Sequence, residues 1–347
     1  MSFKYQFPAV KGVQAGSEYY ICMVPCKYLN RLFAVNTDNV LPEYRAQRRL
    51  NEHRIPEIKS YILENRDSYV FSALAASIDG DYMFDESANG VGILNIDFSA
   101  NFLINDGQHR NAAIQEAILE DPTIGDETIP VVFFEDKGLR RSQQMFTDLN
   151  KYAVKPTKSQ NTFYDHKDSL AILSKKVIDS IEFFKNYTDV ENDNLGKFSA
   201  KLFTLNSFYT ANQYIVGSDI DSSKEIFVID FWTKVVNSIY EWQLLQQKQI
   251  VKKSLREDYI ITQNIVLYAL GKIGGFVYNH KISNWEEYIE KLSSINWLRT
   301  NTEWQGVAIE DGKISKKSTN VTLTFIKIKQ LIGLELSEKE ISMLEVK

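Results

Sequence analysis

The sequence is poor in the residues that stabilise small secreted domains or bind metals. Only two cysteines and four histidines occur in 347 residues. Two cysteines cannot form a disulfide framework in a chain of this length. Cys22 and Cys26 are spaced C-x3-C with no second pair and no nearby histidine, which excludes a zinc-finger pattern. We therefore expect no zinc and no haem, and a reducing compartment.

Long apolar runs and a strong net charge are also missing. No stretch approaches the roughly 18 apolar residues that a membrane span needs, and the N-terminal residues M-S-F-K-Y-Q-F lack the layout of a secretory signal. We expect a soluble cytoplasmic protein with no membrane contact. The net charge of −5 neither supports nor excludes DNA, because any contact with nucleic acid would have to come from local basic patches.

The hydrophobic pattern predicts two domains that differ in secondary structure. Hydrophobic residues make up 44% of the chain, so each half can form a core. Apolar runs before residue 150 predict a small sheet with flanking helices, whereas helical periodicity dominates beyond Thr162. We expect an α+β fold with domains at residues 1–165 and 166–347. The predicted strands are 18–24, 69–78, 91–98 and 129–134. The predicted helices are 27–33, the part of Arg45–Asn65 that follows its arginines and has Pro56 in its first turn, and 139–150, 224–247, 254–271, 284–294 and 320–334.

The segment A-N-F-L-I-N-D-G-Q-H-R-N-A-A-I-Q-E-A-I-L-E (Ala100–Glu120) is the most informative part of the chain. It predicts a strand, a tight turn at Asp106 and Gly107, and a helix. This geometry gathers backbone N–H groups and the positive end of a helix dipole at one point, where anions bind.

Four residues of this segment predict a phosphate pocket. Gly107 permits a positive φ, Arg110 offers a planar fork for phosphate oxygens, and Gln108 and His109 stand beside them. The residues alone equally allow Asp106 to cap the helix and Arg110 to pair with a surface carboxylate.

Two further segments could contribute to such a pocket. The segment Arg45–Asn65 begins with several arginines, including Arg48 and Arg49, which would form either a solvated face or an anion-binding edge. Asp148 and Asn150 end a predicted helix and could bind Mg²⁺ that is held against phosphate, or simply cap the helix.

Lysines and one cysteine complete the set of candidate residues. The lysines could contact a phosphate backbone or form an ordinary solvated surface. Cys26 stands at a predicted helix start, which lowers a thiol pKa, so it is either a reactive thiol or a buried structural residue. The candidate DNA-binding lysines are Lys151, Lys155, Lys158, Lys252, Lys253, Lys316 and Lys317.

The motif D-G-Q-H-R-N-A-A resembles the signature of the DGQHR-domain proteins, and its layout is similar to the G-E-R-R-x-x-A box of the ParB and sulfiredoxin superfamily. Further segments extend the resemblance over nearly the whole chain, to the DndB family of the bacterial DNA phosphorothioation (DNA sulfur modification, dnd) system. They are the Arg45–Asn65 segment, Q-Q-M-F-T-D-L-N-K-Y-A-V-K-P-T-K-S, F-Y-D-H-K-D, S-A-K-L-F-T-L, and the C-terminal G-K-I-S-K-K and I-K-Q-L-I-G-L.

This resemblance implies a ParB/sulfiredoxin-like N-terminal domain in a cytoplasmic regulator that binds operator DNA and represses the modification operon. It also implies possible contacts with other phosphorothioation proteins and a role in phage defence. In ParB-like proteins the box holds nucleotide phosphates, and an arginine segment lies beside it. Here Gln108 and His109 replace the usual Glu and Arg, and Gln108 stands where sulfiredoxins carry their cysteine nucleophile. The sequence leaves the oligomeric state open.

The same motif allows an enzyme. An ATP-hydrolysing or nuclease-type protein would hold ATP or another nucleotide with Mg²⁺, and its catalytic residues would be Asp106, His109 and Arg110. A third alternative is an interaction module in which the pocket has no remaining role.

Overall fold

A computed structural model describes residues 3–33, 51–151, 155–196, 199–217 and 219–345. The chain divides into two units, residues 1–154 and 155–347. The predicted α+β class is confirmed: a mixed sheet characterises the first unit, and the second is mainly helical.

Seven strands of the first unit form one sheet in the order β4-β5-β1-β2-β7-β3-β6. All neighbours are antiparallel except β3 and β7. The alternation of side chains explains the burial, since Tyr20, Cys22 and Val24 of β2 face the core while Ile21 and Met23 are exposed. The strands are β1 (Lys4–Gln14), β2 (Ser17–Pro25), β3 (Leu74–Asp79), β4 (Tyr82–Ala88), β5 (Val91–Asp97), β6 (Asn101–Asp106) and β7 (Thr128–Glu135).

Four α-helices accompany the sheet among the described residues of this unit. They are α1 (Leu29–Leu32), α2 (Ile55–Glu64), α3 (Gln108–Glu120) and α4 (Leu139–Lys151). Helix α2 packs against α3, and α4 packs against β6. Pro56 lies in the first turn of α2, where its missing N–H is not needed. Met145 of α4 is buried, whereas Leu149 on the same helix is 43% exposed.

The register of the sheet positions the central motif. Strand β6 is an edge strand, and its last residue Asp106 pairs with Ala75 near the start of β3. The residues that precede β3 therefore lie beside the turn from β6 into α3.

The second unit is a helical assembly that contains two short two-stranded ladders among its described residues. Its helices are α5 (Lys158–Tyr164), α6 (Ser169–Ser180), α7 (Glu182–Tyr187), α8 (Leu205–Val216), α9 (Ser222–Ser238), α10 (Tyr240–Gln246), α11 (Lys252–Glu257), α12 (Asn264–Asn279), α13 (Trp285–Glu290), α14 (Ser318–Leu331) and α15 (Glu338–Glu345). Strands of two residues pair as β8 (Thr188–Asp189) with β9 (Phe203–Thr204), and β10 (Ile309–Glu310) with β11 (Lys313–Ile314).

Helix α12 is the centre of this second unit and packs against both α8 and α14. Two glycines permit the close approach to α8. A Cβ atom on Gly271 would lie 2.4 Å from the carbonyl oxygen of Ala211, and one on Gly275 would lie 2.2 Å from that of Tyr214. The surrounding core is rich in aromatic residues, and Trp232 and Trp242 are fully buried in it.

Two of the helices predicted in the C-terminal half are each divided into two separate helices in the structure. The predicted helix 224–247 is interrupted at Ile239, which has extended backbone angles between α9 and α10. The predicted helix 254–271 is likewise divided between α11 and α12. This second break places the N-terminus of α12 at Asn264, inside the segment predicted as one helix.

Candidate functional site

The DGQHR corner, defined as Asp106–Arg110, is the turn from β6 into α3. Gly107 is the N-cap of α3 and has a φ of 100°, a conformation that favours glycine. A Cβ atom at this position would lie 2.3 Å from Cδ2 of Leu74. The space beside Gly107 is thus filled by protein, so the glycine serves the turn rather than the close approach of a ligand.

Arg110 is bound to the protein through both terminal nitrogens. Its Nη1 donates to the backbone oxygens of Ser72, at 2.6 Å, and Ala73, at 3.1 Å, and also to the Ser72 hydroxyl. Its Nη2 donates to Oδ2 of Asp106 at 2.7 Å. Only 17% of the Arg110 side chain is exposed. The guanidinium therefore ties the end of β6 to the segment that enters β3.

His109 connects the same corner to a second part of the chain. Its Nε2 accepts a hydrogen bond from the backbone N–H of Asn51 at 3.0 Å. Asn51 in turn caps the short 3₁₀ helix Glu52–Arg54 that leads into α2. Nε2 must be unprotonated to accept this bond, which places the remaining ring proton on Nδ1.

Gln108 carries a polar group that has no partner in the described part of the structure. Its buried Nε2 atom has no hydrogen-bond acceptor there. No described side chain caps the N-terminus of α3, so the corner combines an unused amide donor with the positive end of a 13-residue helix. Asn105, just before the corner, has a buried Oδ1 that likewise has no partner among the described residues. Its Nδ2 donates to the Ser77 hydroxyl at 2.7 Å.

Of the other predicted pocket residues, two lie outside the described residues and two belong to α4. Arg48 and Arg49 lie outside the described residues. Asp148 is exposed on α4, and its Oδ1 accepts a hydrogen bond from Gln144 at 2.7 Å. Asn150 belongs to the last turn of α4, and its side chain is outside the described part of the structure. Across the described ranges, no group of three His, Cys, Asp or Glu residues could hold a metal ion.

Cys26 does not have the environment of a reactive thiol. It opens a short 3₁₀ helix, Cys26–Tyr28, and is buried. Burial, with a smaller contribution from the Glu127 carboxylate, raises the pKa of Cys26 to about 11. The expected lowering at a helix start is absent because the helix is short and the thiol is desolvated. The structure favours the alternative of a buried structural cysteine.

Most of the candidate lysines are exposed. Lys151 ends α4, and the others lie in the second unit. Lys155 and Lys158 stand at the start of α5 with exposed side chains. Nζ of Lys252 lies 5.8 Å from the ring centre of Tyr187, and Lys253 lies 3.9 Å from Glu257. Lys317 forms an ion pair with Glu310 at 2.8 Å.

A cavity of about 460 Å³ lies in the second unit and was not foreseen from the sequence. Arg256 of α11 and Lys316, which precedes α14, both line it. Two basic residues that are sixty positions apart in the sequence therefore meet at one cavity. The N-terminus of α12 contributes Gln263 and Asn264 to the same wall.

Residues 7–335 match the DndB family, which is described as DNA-sulfur modification-associated. The chain belongs to the DndB family. Membership gives the protein a role in a DNA sulfur modification system. Neither a curated protein nor a solved structure matches the chain. Among the described residues of this DndB family member, no helix has both the length and the apolar composition to cross a membrane.

Proposed function

We propose that this chain is a DNA-binding transcriptional regulator of a DNA sulfur modification system, and that its DGQHR corner holds a phosphate group, of a nucleotide or of the DNA backbone. The observation that carries the phosphate site is the buried Nε2 of Gln108, which has no acceptor at the uncapped N-terminus of α3. A phosphate oxygen would accept a hydrogen bond from this donor. The likeness to the ParB box supports the same ligand.

Energetics favour an anionic ligand at this point. Leaving a buried donor without a partner costs about 1–3 kcal/mol. The dipole of α3 adds a favourable interaction with negative charge at its N-terminus. A bound phosphate would satisfy Gln108 and, at the same time, accept hydrogen bonds from N–H groups in the first helical turn.

Arg110 has a positioning role in this proposal. Its terminal nitrogens already donate to Ser72, Ala73 and Asp106, so the guanidinium holds the corner in shape. The proposal assigns direct cationic contacts with phosphate to Arg48 and Arg49. These two arginines precede Asn51 by only three and two residues, and the backbone N–H of Asn51 binds His109 of the corner.

DNA binding is proposed to use exposed lysines of both units. An interface that neutralises phosphates with lysine is independent of base sequence and falls steeply with salt. The lysine set fits a chain whose net charge is −5, because such contacts need only local positive surface. The proposed contacts are Lys151, Lys155, Lys158, Lys252, Lys253, Lys316 and Lys317.

The phosphate site is tested by ATP binding to the full chain and to a Gln108→Leu variant. We expect the variant to bind ATP at least roughly tenfold more weakly, since it loses a charge-assisted hydrogen bond. It should remain as stable as the parent, because no internal hydrogen bond is removed. Gln115→Leu is the matched control on α3: its Nε2 donates to Asn111 at 3.0 Å, so this variant should lose stability and keep binding. Unchanged ATP binding by Gln108→Leu would refute the site.

The same titration separates the regulator from the hydrolytic alternative. Phosphate release is measured with and without Mg²⁺, with Asp106→Asn as the comparison variant. Binding of ATP without release supports a ligand-responsive regulator. Mg²⁺-dependent release that Asp106→Asn abolishes would instead establish an enzyme of the ATP-hydrolysing or nuclease type.

The DNA-binding role is tested by gel-shift titration against promoter DNA of the modification operon and unrelated DNA at several salt concentrations. A Lys155→Ala, Lys158→Ala double variant should reduce the salt slope by about two, because each phosphate contact contributes about one. Lys176→Ala is the control, since Lys176 is exposed and paired with Glu225. Negligible binding of both DNAs at low salt would refute the proposed DNA binding.

A further inference from the structure

The cavity of the second unit has the size and chemistry of a binding site. Its volume of about 460 Å³ lies within the roughly 300–1,000 Å³ that small-molecule sites occupy. One part of its wall is apolar, formed by Leu202, Phe203, Ile265, Ile314 and Val321. The remaining wall carries amide, hydroxyl and cationic groups. A cavity with these two kinds of wall suits a ligand that has a flat apolar part and a charged part.

The charged groups of the wall favour an anion. Lys316 is exposed, and within the described ranges it has no carboxylate close enough for an ion pair, unlike its neighbour Lys317. Arg256 is held at the wall by bonds from its guanidinium to the carbonyl oxygens of Ser199, Leu195 and Gly196, at 3.2, 3.2 and 2.9 Å. A fixed guanidinium and an available ammonium group thus face the same space.

Asp193, the carboxylate in the lining, is already occupied by protein donors. Its Oδ2 accepts from the backbone N–H of Lys158 at 2.9 Å, and its Oδ1 accepts from the backbone N–H and hydroxyl of Ser159 at 2.9 and 2.8 Å. Burial alone would raise the pKa of Asp193, but these hydrogen bonds lower it overall. The carboxylate therefore caps α5 and is not available as a ligand for a cation.

Helix α12 adds to the preference for an anion. It has 16 residues, and its N-cap Gln263 makes no side-chain capping bond. Asn264 accepts a hydrogen bond from Ser207 at 2.8 Å, which fixes its side chain at the start of the helix. The positive end of the helix dipole thus reinforces the two cationic side chains.

We infer that this cavity binds a phosphate-bearing ligand of mononucleotide size, with the phosphate beside Lys316 and Arg256 and the base or another flat group against the apolar wall. The ligand is either a free mononucleotide or the phosphorylated end of a nucleic-acid strand, since both present the same chemistry. All residues that line this site belong to the second unit, whereas the DGQHR corner belongs to the first.

The test uses the full chain in a Gln108→Leu background, so that any site at the DGQHR corner is weakened. AMP, GMP, CMP and UMP are titrated by calorimetry at physiological salt, and 5′-phosphorylated and 5′-hydroxyl oligonucleotides are compared in parallel. Preference for a mononucleotide identifies the free ligand, and preference for the 5′-phosphorylated strand identifies a strand end. No binding of any of these probes up to millimolar concentration would overturn the inference.

Two neighbouring lysines provide the matched comparison. Lys316→Glu reverses a charge that lines the cavity, whereas Lys317→Glu reverses one that is paired with Glu310 outside the lining. We expect Lys316→Glu to weaken binding at least roughly tenfold and Lys317→Glu to change it less than about threefold. Equal effects of the two variants would indicate only general electrostatic attraction and contradict the site.

Photocrosslinking locates the ligand independently of affinity. An azido derivative of the tightest-binding mononucleotide should label peptides from α11, the start of α12, or residues 314–321. Labelling confined to other parts of the chain would overturn the assignment even if Lys316→Glu weakened binding.

Discussion

The Nη2 atom of Arg110 lies 2.7 Å from Oδ2 of Asp106, one helical turn earlier in the chain. Together with the bonds from Nη1 to Ser72 and Ala73, this contact joins β6, α3 and the entry to β3. The arginine of the DGQHR motif is thus a structural clamp. It maintains the turn that leaves the Gln108 donor without a protein acceptor.

Because Arg110 joins β6, α3 and the entry to β3, we expect Arg110→Ala to destabilise the protein. Removal of the guanidinium leaves the Ser72 and Ala73 carbonyls without their donor, which should lower the free energy of unfolding by about 1–3 kcal/mol. Asp106→Asn keeps an oxygen acceptor on a half-exposed residue and should cost less than about 1 kcal/mol. Urea unfolding followed by circular dichroism measures both. Equal stability of Arg110→Ala and the parent would show that the clamp contributes nothing.

Gly107→Ala should be more damaging than the same change at Gly138. Both glycines have positive φ, 100° and 94°, so both variants carry backbone strain. A Cβ atom at 107 would also meet Leu74 at 2.3 Å, while nothing lies within 4 Å of one at 138. We expect a loss of about 2–4 kcal/mol at 107 and about 1 kcal/mol at 138. Thermal and urea unfolding provide the comparison, and similar losses at both sites would contradict the steric argument.

The sequence alone predicts the strand, turn and helix of the central segment correctly, because its local signals all indicate the same structure. An apolar run, Asp106-Gly107 and helical spacing each mark one part of the strand, turn and helix, and the structure has β6, Gly107 and α3 at these positions. Strand β4 was missed because its sequence, Y-M-F-D-E-S-A, is polar and lies at an edge of the sheet. Strand β1 was missed because Pro8 and Gly12 interrupt its pattern.

The partners of the motif residues depend on tertiary structure. Ser72 lies 38 positions before Arg110, and only the register of β3 against β6 brings them together. The break at Ile239 has no proline or glycine at that residue, so packing determines it. The cavity of the second unit was not predicted for the same reason, because Arg256 and Lys316 meet only in the folded chain.

Cys26 should react slowly with iodoacetamide in the folded protein. Burial raises the pKa of its thiol to about 11, above the ordinary 9.0, so the reactive thiolate is rare at neutral pH. Alkylation at pH 7.5, followed by mass spectrometry of peptides, measures the rate with and without denaturant. Burial raises the pKa of the Cys22 thiol to about 12, so Cys22 should react still more slowly. Rapid labelling of Cys26 in the native protein would restore the reactive-thiol alternative.

The ion pair between Lys329 and Glu340 should make the second unit sensitive to acid. Nζ of Lys329 lies 2.8 Å from Oε2 of Glu340, and the Lys329 side chain is only 3% exposed. Burial opposes ionisation of Glu340, but hydrogen bonds from Lys329 and Ser337 lower its pKa below the ordinary 4.5. Because the folded pKa is the lower one, the stabilisation is complete above about pH 4.5 and is lost as the pH falls through the folded value.

Glu340→Gln tests this dependence. The variant leaves a buried ammonium group without its carboxylate, so it should lose about 3 kcal/mol at pH 7. It should also lose less stability than the parent between pH 5 and pH 3, since the group that titrates is gone. Glu338→Gln, on the same helix, is the control and should behave like the parent. Urea unfolding at a series of pH values gives both results, and parallel stability profiles for Glu340→Gln and the parent would show that this pair does not set the acid sensitivity.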